Sequence, residues 1–294
     1  VALVTATHFT DPACPWAYSA RPAHARLRWR FGDQLDWRLV LVGLSESGAA
    51  YEERGYTPER LVETQRRFYE RFRMPFSFER KPRMAGTGRA CRAVVAAREL
   101  DPALGEAALR ALQLLQFTSV GLLDDDDDLR AALSAAGLDG DAIVARSDDP
   151  RIVELYELDR AQTRSAEGSP THAQGRYSTS DGPVRYTAPS VIFELESGSS
   201  IEVGGFQPFE AYDTALANLD PSLERRPAPD DLPTALAAFP EGLTTAEAAS
   251  VMRPSDLADA DFKATAAELA ALESAGKLTR TRTGNDAIWA LTVV

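Results

Sequence analysis

The sequence predicts an α/β sheet domain interrupted by a helical block and followed by a small second module. Three observations predict it. Strand-type apolar and alternating patterns stand at both ends of the first 220 residues, only the helical period runs between them, and a proline-rich stretch then sets off a different pattern.

Residues 2–9 form an apolar run of strand length, residues 16–31 follow the helical period, and Leu35, Trp37, Leu39 and Leu41 alternate. The chain therefore opens as a β–α–β unit. From about 57 to 175 the pattern is helical. Thr57 is a capping residue, and Pro58 takes the first helical position, where its missing N–H forfeits no helical partner. Residues 89–100 and 107–117 continue the period. Strand patterns return at 190–195 and 200–203 on either side of Ser197-Gly198, which reads as a hairpin, and residues 209–219 read as a closing helix.

Four prolines fall between residues 221 and 233, a linker composition. In residues 234–294, Thr244 and Glu247 have the spacing of a capping box. Residues 261–275 form a second helical period ending at Gly276, and residues 277–282 and 287–293 look like strands around a Gly284-Asn285 turn. Helix, helix, hairpin is the pattern of a winged helix.

The 294 residues carry 32 basic and 44 acidic side chains, a net charge of −12, which repels phosphate backbones and anionic membranes. Residues 221–294 hold seven basic and eleven acidic residues. Neither nucleic acid nor a membrane is expected as a partner; dimerisation, as a homodimer, or covering a surface of the first domain suits the second module better. No apolar stretch approaches the roughly 18 residues of a membrane span, and residues 1–8 read as a strand rather than a signal peptide, so a cytoplasmic location is expected. Cys14 and Cys91 are the only cysteines, which excludes a disulfide scaffold and an all-cysteine zinc site. His8, His24 and His172 lack metal-binding spacing, and no metal is expected. The acidic run at 124–128 lacks the glycine and terminal glutamate of a calcium loop and reads as a helix-capping loop.

The informative segment is Asp11-Pro12-Ala13-Cys14-Pro15-Trp16-Ala17-Tyr18, where the first strand gives way to the first helix. A cysteine at a helix N-terminus faces unpaired N–H groups and the positive end of the helix dipole, so its thiolate is expected to be stabilised. His8 is expected in the core or at its rim, near enough to tune Cys14. Trp16 and Tyr18 suit packing and an apolar substrate wall equally well. Cys91 reads as a small buried hydrophobe.

This segment resembles the active site of the DsbA-like thioredoxin superfamily, and especially its cytoplasmic FrnE-like branch, whose pattern is Asp-x-x-Cys-Pro-Trp-Cys-Tyr. Asp11, Cys14, Pro15, Trp16 and Tyr18 match, while Ala17 stands where the pattern has its second cysteine. Thr187-Ala188-Pro189 resembles the cis-proline signature that opens the third strand of that fold. Residues 86–92 are similar to the Asn-Thr-x-x-Ala-His-Arg segment of FrnE-like proteins and kappa-class glutathione transferases, with Gly86 and Cys91 replacing the asparagine and the histidine. The resemblance implies a thioredoxin fold over residues 1–220 with an inserted helical domain.

It further implies a thiol–disulfide oxidoreductase with Cys14 as the catalytic residue, and with Pro15, Trp16, Tyr18, Ala188, Pro189, Thr87 and Arg89 binding substrate or shaping the site. Ala17 is a degenerate resolving position, because Cys-Pro-Trp-Ala cannot close an internal disulfide. A thiol or disulfide is then the substrate. No tightly bound cofactor is expected, and an external low-molecular-weight thiol, glutathione or mycothiol, would resolve the mixed disulfide. The alternatives are an enzyme like the kappa-class transferases or 2-hydroxychromene-2-carboxylate isomerase, and a non-catalytic thioredoxin-like adaptor.

Overall fold

The computed structural model describes residues 3–292. Ala2 and Val293, at the ends of two predicted strands, lie outside them. The chain opens with β1 (Val4–Thr10), α1 (Pro15–Ser19), α2 (Arg21–Phe31) and β2 (Leu35–Leu41). The single helix predicted over 16–31 is thus two. Ala20 ends the first, and Arg21-Pro22 begins the second with a proline in its first turn, a helix start signal.

The helical block consists of α3 (Gly48–Glu53), α4 (Pro58–Phe72), α5 (Gly88–Leu100), α6 (Pro102–Thr118), α7 (Asp126–Ala135), α8 (Gly140–Arg146), α9 (Pro150–Thr163) and α10 (Pro170–Ala173). Thr57 caps α4 by accepting from the Arg60 N–H. Asp125 caps α7 by accepting from the Asp127 and Asp128 amides, and the acidic run is a capping loop. A short ribbon, β3 (Tyr177–Ser178) and β4 (Arg185–Tyr186), leads to β5 (Ser190–Leu195), β6 (Ser200–Val203) and α11 (Phe209–Leu219).

The main sheet has the order β2-β1-β5-β6, with β2 parallel to β1 and β5 antiparallel to both β1 and β6. Register places the site. Phe9 lies opposite Ser190 and Thr10 opposite Leu41, so residues 11–14, Pro189 and residues 42–45 all emerge at one end of the sheet. Val4, Ala6, Val191 and Phe193 pack with Leu27 and Phe31 of α2 and with Phe209, Tyr212 and Leu216 of α11. The core of the helical block, including Val94, Leu109 and Leu112, reaches the sheet at Leu39 and Leu41.

The C-terminal part comprises α12 (Leu232–Ala237), β7 (Leu243–Thr244), α13 (Thr245–Val251), α14 (Phe262–Ser274), β8 (Leu278–Thr283) and β9 (Asp286–Leu291), with a sheet of order β7-β9-β8. It is not separate in packing. Ala25 and Trp29 of α2 belong to the same apolar cluster as Leu236, Leu243, Leu269 and Trp289. Nor does the proline-rich stretch hang free: the Trp29 indole N–H donates to the Pro227 carbonyl, and the Arg226 N–H to that of Arg30. The capping box at Thr244 and Glu247 forms. The Gly284-Asn285 turn seats on Phe76, with the Asn285 N–H donating to the Phe76 carbonyl and the Phe76 N–H to the Asn285 side chain. Among the described residues no helix is long and apolar enough to cross a membrane.

Candidate active site

Cys14 is the N-cap of α1, held by its own N–H donating to the Asp11 carbonyl at 3.1 Å, and Pro15 occupies the first turn. The Ala188–Pro189 bond is cis. Cys14 Sγ–H donates to the Ala188 carbonyl at 3.1 Å, so the first-strand exit and the start of β5 meet at the sulfur.

Cys14 is 5% exposed, and the ionisation of its thiol runs against the sequence expectation. Burial pushes its pKa up to about 12; the Ala17 and Trp16 amides pull it down, the Asp11 carboxylate raises it, and Arg185 opposes that. The expectation counted the helix terminus and omitted desolvation, which disfavours a thiolate in apolar surroundings. The dipole is also weak, because α1 has only five residues before the chain breaks at Ala20.

Asp11 organises the ground beneath Cys14. Its Oδ1 accepts from the Ala13 amide, and its Oδ2 accepts from the Leu44 amide, the Thr87 hydroxyl and, at 3.6 Å, Cys91 Sγ. One carboxylate therefore ties the cysteine turn to the exit of β2 and to the start of α5. Burial raises its pKa, against those hydrogen bonds. Asp11 matched the motif, yet its bridging role has no sequence signal, since Leu44, Thr87 and Cys91 are distant in the chain.

The other motif residues divide. Trp16 is 40% exposed and meets Phe68, Phe72 and Phe206 at ring-centroid distances of 4.8, 5.9 and 5.5 Å. The helical spacing of Phe68 and Phe72 was a readable signal for part of this aromatic wall. Tyr18 is fully buried, stacks on Phe117 and donates its hydroxyl to the Pro75 carbonyl, which makes it a packing residue. Ala17 is buried.

Thr87 reaches the site through Asp11 and through Ser45, whose N–H donates to its hydroxyl. Arg89 turns into the helical block, where its guanidinium pairs with Asp126 at 2.8 Å and Asp148 at 2.7 Å. Cys91 lies in the first turn of α5, fully buried, and both cysteines are free thiols. His8 faces His24, ring centroids 4.7 Å apart, and burial holds its pKa down to about 4. Among the described residues no group of three or more His, Cys, Asp or Glu is arranged to hold a metal ion.

Residues 5–183 match the DSBA-like thioredoxin domain family. A curated relative, the ClpXP adapter protein SpxH of Shouchella clausii, is 24% identical over 252 residues, 83% of this chain and 76% of that protein. The fold is similar to that of a putative protein disulfide isomerase from Nitrosomonas europaea, with a TM-score of 0.56 and 16% identity over 74% of this chain and 97% of that one. It is also similar to the cytosolic disulfide reductase DsbM from Pseudomonas aeruginosa, with a TM-score of 0.52 and 20% identity over 74% of this chain and all of that one.

Proposed function

The chain belongs to the DSBA-like thioredoxin domain family, and from that premise we propose that it is a thiol–disulfide oxidoreductase working through the single thiol of Cys14. The observation that carries the reading is the placement of Cys14 Sγ against the carbonyl that precedes Pro189, beside the aromatic wall at Trp16. In the first step Cys14 attacks a substrate disulfide. A bond forms between Sγ and one substrate sulfur, the substrate S–S bond breaks, and the departing thiolate takes up the proton that Cys14 gives away. With Ala17 at the resolving position, a low-molecular-weight thiol of the glutathione or mycothiol type attacks the mixed disulfide and returns Cys14 as a thiol. Pro15, Ala188 and Pro189 shape the groove, and Thr87 acts through Asp11. The FrnE-like motif and the likeness to a cytosolic disulfide reductase support a cytoplasmic setting for this chemistry.

The test is intact-mass analysis of the full chain treated with oxidised glutathione and then with reduced glutathione. A glutathione adduct on Cys14 that the second thiol removes is expected, together with reduction of hydroxyethyl disulfide that disappears in Cys14→Ser. No adduct and no turnover would sink the reading. Two observations favour a second reading, a groove that binds a protein without turning it over: Cys14 is buried and protonated at rest, and the relative from Shouchella clausii is an adapter protein. In that case Cys14→Ser leaves partner binding intact and no adduct forms.

A further inference from the structure

The groove beside Cys14 has more apolar surface than the chain's own packing covers. α4 is strongly amphipathic, yet Gln65 is its one buried residue. Leu61, Phe68 and Phe72 fall on one stripe of that helix at helical spacing, and all three are half-buried. Phe72 and Phe206 stand with ring centroids 4.8 Å apart, and the 40% exposed Trp16 ring meets both. An exposed aromatic cluster of this kind marks a place where another molecule packs.

The rim of the groove is basic, although the chain is acidic. Residues 54–83 hold nine basic and four acidic side chains, against a net charge of −12 for the whole. At about 100° per residue, Arg60, Arg67 and Arg71 lie about 60–100° round α4 from Phe68, and Glu63 and Glu70 about 140–160°. The cations of this face therefore stand nearer the aromatic stripe than the carboxylates do. The Arg71 guanidinium lies 5.1 Å from the Phe72 ring centroid and 6.0 Å from that of Trp16. Across the groove, Arg176 packs against Gly204 and Gly205, which precede Phe206, and its carbonyl accepts from the Thr187 hydroxyl two residues before Pro189. Arg60, Arg67, Arg71 and Arg176 are exposed or half-buried and have no ion-pair partner among the described residues, whereas Arg80 takes Glu59 of the same helix. Glu202, on β6, is taken up by the Tyr186 hydroxyl and the Thr171 N–H. Free cations flanking an apolar wall complement a partner that brings carboxylates and an aromatic ring together.

Resting on the thiol–disulfide reading above, we propose that the substrate of Cys14 is a protein disulfide in an acidic segment that carries an aromatic side chain near its cysteine. The aromatic side chain packs on Trp16, Phe72 and Phe206, and the flanking carboxylates meet Arg71 on one side and Arg176 on the other.

The test reads binding without turnover, by fluorescence anisotropy of labelled short peptides on the full chain. The probe peptide carries one Trp, one S-methylcysteine and four Glu; one control has Lys for every Glu, and another has Ser for the Trp. The probe is expected to bind about tenfold or more tighter than either control at low ionic strength, and to weaken as salt is added. Arg71→Glu combined with Arg176→Glu should weaken it by about tenfold and leave the melting temperature in place, since both side chains are exposed. Should that double variant melt early, Arg71→Gln with Arg176→Gln makes the same comparison without new charge. Equal binding of the Lys or the Ser control, indifference to salt and to both double variants, or no binding of the probe at all would overturn the assignment. Any of these results alongside reduction of hydroxyethyl disulfide by Cys14 refutes the substrate class and leaves the thiol chemistry standing; absence of Cys14 turnover refutes the chemistry on which it rests.

Discussion

The ionisation of Cys14 yields the sharpest quantitative prediction. A thiol held at about 12 rather than at the ordinary value near 8.5 has, at neutral pH, about 10³-fold less thiolate. The more basic thiolate is intrinsically the better nucleophile, and a Brønsted slope of about 0.4–0.5 recovers some 1.5 logarithmic units of that deficit. Iodoacetamide should therefore alkylate Cys14 in the native chain about 10²-fold more slowly at pH 7 than in the same chain unfolded in guanidinium. The native rate should also climb about tenfold per pH unit without levelling below pH 10. Peptide mapping separates Cys14 from Cys91, whose thiol burial raises as well. A native rate that levels off below pH 7, or lies within a few-fold of the unfolded rate, would show that the helix terminus outweighs desolvation and that the resting thiol is already activated.

Ala17→Cys restores the Cys-x-x-Cys spacing; mild oxidation should then remove about 2 Da by closing a disulfide within the monomer, seen by intact mass, whereas persistence of two free thiols at 14 and 17 would refute the geometry. Glu247→Ala leaves Arg110 and Arg21 without their buried carboxylate and should lower the urea unfolding free energy by about 3–5 kcal/mol. Burial opposes ionisation of Glu247, but Arg110 and Arg21 outweigh it and hold its pKa at about 2, so its contribution is complete above the unfolded value near 4.5 and is lost as pH falls toward 2. His8 stays neutral in the fold down to about pH 4 because of burial, while the unfolded chain protonates near 6.5, so His8 should take about 3 kcal/mol from stability between those values; burial holds His24 neutral as well and adds to the same fall, so His8→Leu should lessen, without abolishing, the slope of that part of the urea-unfolding pH profile.

The elements were legible where their cause is local. β2, β5, β6 and α11 run over the residues that the alternation and the helical period predict, and the Thr244–Glu247 spacing becomes a capping box. The break at Ala20 was written in the sequence as Arg21-Pro22, a helix start inside what looked like one helix. What the sequence could not carry is whatever depends on burial by distant residues. The position of Cys14 at a helix start is local, but its desolvation comes from packing with Phe9, Val40, Tyr186 and Ala188. Arg89 sits where the motif suggested, yet Asp126 and Asp148, far along the chain, claim its guanidinium.

The acidic balance of the C-terminal residues acquires a physical reason in the same way. In the sequence it argued only against a phosphate backbone, whereas in the fold two of those acids face arginines of the first domain. Glu247 meets Arg21 and Arg110, and Asp256 meets Arg26 and Arg30. Three of these four arginines lie on α2, whose poor amphipathic pattern makes sense once one side packs on the sheet and another on the C-terminal module. The module thereby braces the helix that starts immediately after Ala20, the residue that ends the helix Cys14 begins. The Gly284-Asn285 turn grips Phe76, whose ring contacts Tyr18. Loosening the module should for that reason loosen the footing of the active-site turn, through α2 on one side and through Tyr18 on the other.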